Sequence, residues 1–145
     1  MLTGQYKTTI DEKGRILIPT RLKQDIPGNH MIITAGIDSC LWLFLPSTWQ
    51  VLSDKIMETS LFSHGARLLQ RRIIAPAMEI ALDKLGRLLI PQNLKDTALI
   101  KKNCVLHGLK KFIEIWDAEK YESYLKDNEN DFQKAAEELG GTVII

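Results

Sequence analysis

Polar and apolar residues alternate over short stretches of this chain, and the stretches end at Gly, Pro or Asp. Residues 7–10 and 79–82 carry alternation or β-branched side chains, and each is followed by Asp-x-x-Gly and a second apolar stretch, 15–18 or 87–90. The expectation is a strand, a tight turn and a strand, forming a hairpin. Alternation suits a half-buried strand, the Asp oxygen accepts from a backbone N–H two residues on, and Gly takes the positive φ of the turn. Pro19 and Pro91 come next and fit the first turn of a helix, where a missing N–H has no partner to lose, so short helices are expected over 19–24 and 91–97. Further strands are expected over 30–35 with 41–44, and over 103–107 with 112–116, each pair joined across a Gly-containing turn. Helices close the two patterns over 46–58 and 117–139, with Ser47 one possible N-cap of the first and Asp117 the N-cap of the second. Another helix is expected over 63–72, after a Ser/Gly start.

These elements recur because the chain contains one unit twice. Residues 11–24 lie over 83–96 without a gap, and eight of the fourteen positions are identical. The offset of 72 also sets Gly36 on Gly108, Leu43 on Ile115, Phe44 on Trp116 and Trp49 on Tyr121. Duplication explains a register of that length, and no Gly/Ser-rich linker parts the copies, so they are expected to pack as one pseudo-symmetric body. The division expected is a first repeat over 4–50, a helical connection over 51–76, a second repeat over 77–122, and a C-terminal helix extension and tail over 123–145.

Charge changes the picture more than composition does. The net charge is only +1, yet residues 1–126 hold 18 Lys and Arg against 13 Asp and Glu, whereas residues 127–145 hold one Lys against five acids. An acidic tail thus masks a mildly basic body. Apolar runs are far shorter than the roughly 20 residues a bilayer requires, and the N-terminus has neither a basic nor an apolar leader pattern, so a cytoplasmic protein is expected. Cys40 and Cys104, 64 residues apart and without Cys/His spacing, read as buried free thiols rather than a disulfide or zinc site.

Catalytic chemistry finds no foothold. His30, His64 and His107 do not recur between the copies, and His107 reads as a packed, hydrogen-bonded residue in an apolar strand. No Gly-rich phosphate loop occurs, so no cofactor and no small-molecule substrate is expected. What does recur is Arg15 and Arg87, each directly after the turn Gly (Gly14, Gly86) and four residues after an Asp (Asp11, Asp83). The Asp can clamp the turn through an ion pair. The same Asp can hold a guanidinium whose fork of donors suits phosphate oxygens or a guanine edge. Lys13, Lys84 and Arg21 add charge near the same edge, and oligomerisation would multiply a modest charge per chain into a basic track on double-stranded DNA.

The repeated Asp-x-x-Gly-Arg block ending in Ile-Pro resembles that of the AbrB/MazE swapped-hairpin superfamily. Two copies of it, with Gly4-Gln5-Tyr6, Cys40-Leu41 and Phe112-Ile113-Glu114-Ile115-Trp116, resemble the MraZ family from Gly4 to about Leu139. The resemblance implies an α+β fold in which two tandem AbrB-like swapped-hairpin units form a pseudo-symmetric double-split βαβ barrel with added helices. It further implies a ring-shaped homo-oligomer that binds repeated promoter boxes of the division and cell-wall gene cluster as a regulator, usually a repressor, and hence association with the nucleoid. The family's Asp-x-x-x-Arg motif maps onto Asp11/Arg15 and Asp83/Arg87. Two departures stand out: residues 73–77 differ from the family's connection, and Leu85 replaces the Lys13 of the first turn, which leaves the second turn the weaker expected contact. An antitoxin-like interaction module, using the acidic tail and the apolar end Val143-Ile144-Ile145 on a protein partner, is the alternative reading.

Overall fold

In this computed structural model, which describes residues 1–143, strands and helices alternate in the same order in both copies. The first contains β1 (Leu2–Thr9), β2 (Arg15–Leu17), α1 (Thr20–Lys23), β3 (His30–Ala35), β4 (Leu41–Phe44) and α2 (Pro46–Met57). A connecting helix, α3 (His64–Leu69), runs on into a wider π turn at Gln70–Ile74. The second copy contains β5 (Met78–Ala81), β6 (Arg87–Leu89), α4 (Gln92–Thr97), β7 (Asn103–Lys110) and β8 (Phe112–Asp117), followed by α5 (Ala118–Asp127) and α6 (Glu129–Leu139). The class is mixed α+β, with a six-stranded antiparallel sheet in the order β1-β7-β8-β4-β3-β5 and a two-stranded ribbon of β2 with β6.

The local hairpins expected around the two Asp-x-x-Gly turns do not form as ladders. An isolated bridge, Ile10 to Ile16, and a hydrogen bond from the Thr8 hydroxyl to the Leu17 carbonyl (3.4 Å) link the two segments, while the ladder of β2 is formed with β6 of the other copy. In the same way β1 pairs with β7 and β5 with β3. The reason lies in the apolar faces. β1 is largely exposed between Thr3 and Thr9, so it offers Ile16 little cover, whereas the ribbon sets Ile16 opposite Leu88 with both side chains buried. Two more hydrogen bonds lengthen the exchange, from the Ile18 N–H to the Gly86 carbonyl (3.0 Å) and from the Ile90 N–H to the Gly14 carbonyl (2.9 Å).

Two facing pairs mark the pseudo-two-fold axis, Ile16 with Leu88 in the ribbon and Trp42 with Glu114 where β4 meets β8. Between these points the symmetry slips by one residue. Ile33 faces Leu43 and Leu106 faces Ile115; with Leu43 and Ile115 72 apart, Ile33 and Leu106 are 73 apart. The structural counterpart of Gly108 is therefore Ala35, not Gly36. Gly108 lies within β7, and the turn to β8 is made at Lys110, a non-Gly residue at φ 75°, so the expected Gly-containing turn is absent from the second copy. A β-carbon at Gly108 would come within 2.8 Å of backbone atoms of Leu2 and Thr3, because β1 extends alongside that part of β7, whereas the shorter β5 stops before Ala35.

One core draws on both copies, with Ile16, Leu22, Ile33 and Leu43 packed together with Leu88, Leu94, Leu106 and Ile115. Pro19 and Pro91 sit at N-cap positions, one residue before the helices expected to begin on them, and accept the first N–H bonds through their carbonyls. Pro46 is the first residue of α2, which displaces the N-cap to Leu45 and leaves Ser47 inside the helix. Asp117 does cap α5, accepting from the Lys120 N–H at 3.2 Å, but the long helix expected to follow is broken at Asn128. Cys40 and Cys104 are buried free thiols; burial pushes the Cys104 thiol up to about 11 and raises that of Cys40 as well. Of the apolar end invoked for a protein partner, Ile144 and Ile145 lie outside the described residues.

Gly108→Ala is expected to destabilise the fold by about 1–3 kcal/mol, since backbone atoms must move to admit one methyl group. Chemical denaturation of the variant against wild type measures this, and an unchanged midpoint would contradict the close approach of β1 to β7.

Candidate nucleic-acid interface

Each Asp-x-x-Gly turn is held by a small set of hydrogen bonds that begins and ends on its Asp. Asp11 Oδ1 accepts from the backbone N–H groups of Lys13 and Arg15, and Oδ2 accepts from Arg15 Nε, all at 2.9 Å. The backbone closes the loop, with the Asp11 N–H donating to the Arg15 carbonyl and the Gly14 N–H to the Asp11 carbonyl. The second turn repeats this arrangement. Asp83 Oδ1 accepts from the N–H groups of Leu85 and Arg87, and Oδ2 accepts from Arg87 Nε, again at 2.9 Å. Gly14 and Gly86 supply the left-handed backbone, at φ 82° and 79°. Donation by the Arg backbone N–H leads the forces that hold both Asp carboxyls below their ordinary range, helped by the Arg side chain and opposed by some loss of solvation.

The clamp engages one nitrogen of each guanidinium. Arg15 and Arg87 bind their Asp partners through Nε, and among the described residues no hydrogen bond engages either Nη group. Each side chain is 29% exposed, enough to anchor the stem while the end of the fork reaches solvent. Strand alternation then arranges the ribbon. Ile16 and Leu88 point inward, and Arg15, Leu17, Arg87 and Leu89 occupy the outer face, with Arg15 opposite Leu89 and Arg87 opposite Leu17. Two positioned guanidiniums therefore flank the pseudo-axis, separated by two leucines that are 50% and 56% exposed.

Of the other cations singled out in the sequence, Lys13, Lys84 and Arg21 are all exposed, and none forms an ion pair among the described residues. Another lysine, not singled out in the sequence, lies against a turn. Lys23 of α1 crosses over the second turn, where a β-carbon at Gly86 would lie 3.2 Å from its Cδ and 3.3 Å from its Nζ. Its counterpart Lys95 has no such place, because Gly14 is approached instead by Leu89 and the Ile90 carbonyl. No local pattern could have signalled this, since Lys23 and Gly86 meet only through the exchange of β2 and β6.

A second polar cluster lies on the pseudo-axis in the main sheet. Glu114 accepts from Trp42 Nε1 (3.2 Å) and Trp116 Nε1 (3.0 Å), and His107 Nδ1 lies 3.6 Å away. Burial alone would raise the Glu114 carboxyl, but the donors from His107, Trp116 and Trp42 prevail and leave it lowered, hence ionised. His107 also meets Gln5 Nε2 at 2.9 Å and packs its ring on Tyr121. These contacts give His107 a place in the packing. Among the described residues no group of His, Cys, Asp or Glu is placed to hold a metal, and no helix is long and apolar enough to cross a membrane.

The chain that carries these two turns has relatives along nearly its whole length. A family model described as "MraZ protein, putative antitoxin-like" matches residues 1–72 and again 73–142. The chain belongs to the MraZ family. Similar curated family members are the transcriptional regulator MraZ of Treponema denticola, 49% identical over 96% of this chain and 97% of that protein, and that of Treponema pallidum (strain Nichols), 41% identical over 94% and 93%. The transcriptional regulator MraZ of Natranaerobius thermophilus is 34% identical over 96% of both chains. A solution structure of PHS018 from Pyrococcus horikoshii covers 79% of this chain and 88% of its own at 15% identity and a TM-score of 0.33, too loose a likeness to bear on the fold. The two family matches meet at residues 72 and 73, inside the π turn rather than at a flexible linker.

The lowered carboxyls set the direction of a pH effect. A group whose pKa falls on folding contributes stability above its unfolded value, and that contribution is lost as pH drops through the folded one. Asp11→Asn and Asp83→Asn are therefore expected to lower the thermal midpoint near neutrality, with the difference from wild type shrinking below about pH 4. Melting curves across that range test the clamp, and a difference constant from pH 7 to pH 2 would rule it out.

Proposed function

We propose that this chain is a sequence-specific DNA-binding transcriptional regulator, acting as a repressor of the division and cell-wall gene cluster through repeated promoter boxes. The observation that carries the reading is the outward pair of clamped guanidiniums, Arg15 and Arg87, on a two-stranded antiparallel ribbon. A ribbon of that width fits the major groove, about 12 Å across, where an arginine can donate twice to a guanine edge while neighbouring lysines meet phosphates. Lys13, Lys84 and Arg21 are the neighbours in this reading; Asp11, Gly14, Asp83 and Gly86 shape the turns and aim the arginines. The strand exchange between the copies supports reading them as swapped-hairpin units of a double-split barrel, with boundaries near residues 50, 76 and 122. The choice of target cluster and the repressor role rest on the family resemblance, and nucleoid association follows from them.

Ring-shaped homo-oligomerisation belongs to the same proposal. Leu61, Phe62 and Leu68 expose large apolar side chains around α3, with Phe62 97% exposed, which is costly for an isolated protomer. Light scattering is expected to give a mass several times 16.5 kDa; a monomeric mass would refute assembly.

Arg15→Ala is expected to weaken binding to DNA from upstream of the chain's own operon by about 1–3 kcal/mol for each ribbon that reads a base, leaving the thermal midpoint close to wild type. A mobility-shift titration decides the matter, and unchanged affinity would sink the assignment.

The family description's antitoxin-like wording, together with α6 exposing Phe132 and Leu139, favours one second reading, an interaction module that engages a protein partner. Stoichiometric co-purification of a toxin-like protein, lost on truncation after Asp127, would replace DNA binding as the leading function.

A further inference from the structure

The two turns are unequal, and their summed charge runs opposite to what the replacement of Lys13 by Leu85 suggests. Within the first turn Asp11 and Glu12 balance Lys13 and Arg15; within the second Asp83 faces Lys84 and Arg87, an excess of one positive charge. Lys23 then adds another, since its side chain lies across Gly86. No acid pairs with Lys23 or Lys84 among the described residues. Gathering unpaired cations around one turn costs repulsion, and an anion on the outer surface relieves it.

We infer that Lys23, supplied by the first copy, is a phosphate-binding residue of the second turn and takes the place that Leu85 leaves empty of charge. The side chain reaches the turn only because β2 and β6 are exchanged, and Gly86 leaves room for it: a β-carbon there would lie 3.2 Å from its Cδ and 3.3 Å from its Nζ, displacing the lysine end slightly, and would also meet an unfavourable φ of 79°. Lys95, at the equivalent position of the second copy, is not drawn to Gly14, so the contact is made once per chain rather than twice. A phosphate beside the second turn would then meet Arg87, Lys84 and Lys23 together.

This inference rests on the DNA-binding reading, and the experiment separates the two. Binding of a labelled duplex from the chain's own upstream region is followed by anisotropy at stepped salt concentrations, for the full-length protein and its variants. Lys23→Gln is expected to flatten the logarithmic salt slope by about 0.9 for each protomer touching the duplex, as one phosphate contact is lost. Lys23→Arg is expected to keep the slope, Lys95→Gln to leave it unchanged, and Leu85→Lys to restore it in the Lys23→Gln background. A Lys23→Gln slope equal to wild type, or equal flattening by Lys95→Gln, overturns the inference. If Arg15→Ala weakens binding while Lys23→Gln does nothing, only this inference falls; if the wild-type protein does not bind the duplex, the DNA-binding reading falls with it.

Discussion

The meeting of Ile16 with Leu88 across the β2–β6 ribbon is the constraint on which the outer face depends. A strand of three residues has too few hydrogen bonds to hold itself, so each needs the other, and each turn Gly lends its carbonyl to the opposite copy. Burying the two central side chains then leaves only one direction for the residues on either side of them. Arg15 and Arg87 face outward as a consequence of Ile16 and Leu88 facing inward, and a single-residue slip of the ribbon would reverse both. Packing of the core and presentation of the charged surface are thus one fact about register.

The Asp clamp adds rigidity to what register has aimed. By accepting from two backbone N–H groups with one oxygen and from Nε with the other, each Asp ties the turn and the guanidinium to the same rigid group. A long side chain that would otherwise lose rotamer freedom on meeting a ligand has already lost much of it on folding. Exposed ion pairs add little to stability, so the worth of this one lies in aim.

Local features of the chain were legible without coordinates. The turn chemistry of Asp11-to-Arg15 and Asp83-to-Arg87, the capping by Asp117 and the buried thiols all follow from side chains acting on their near neighbours. Partner choice was implied by the family resemblance but not legible in the residue pattern, because Ile16 would suit a local hairpin or a distant strand equally well. The one-residue slip was hidden for a similar reason: Gly36 and Gly108 align in the sequence, while an added residue after α4 and a shorter turn before β8 offset one another. The helix break at Asn128 and the displacement of the α2 cap by Pro46 depend on backbone geometry that composition does not reveal. At the candidate interface, the clamped arginines could be named from spacing, whereas the place of Lys23 could not, since the turn it lies against is 63 residues away at Gly86.

Fusing two copies into one chain has removed the obligation to be alike. Two separate subunits meeting about a true axis would carry the same lysine over both turns or over neither. Here Lys23 lies over one turn and Leu89 over the other, so the ribbon has a head and a tail. A ligand lying across it would meet unlike ends, so its two orientations would differ in energy, a sense of direction that a symmetric dimer lacks.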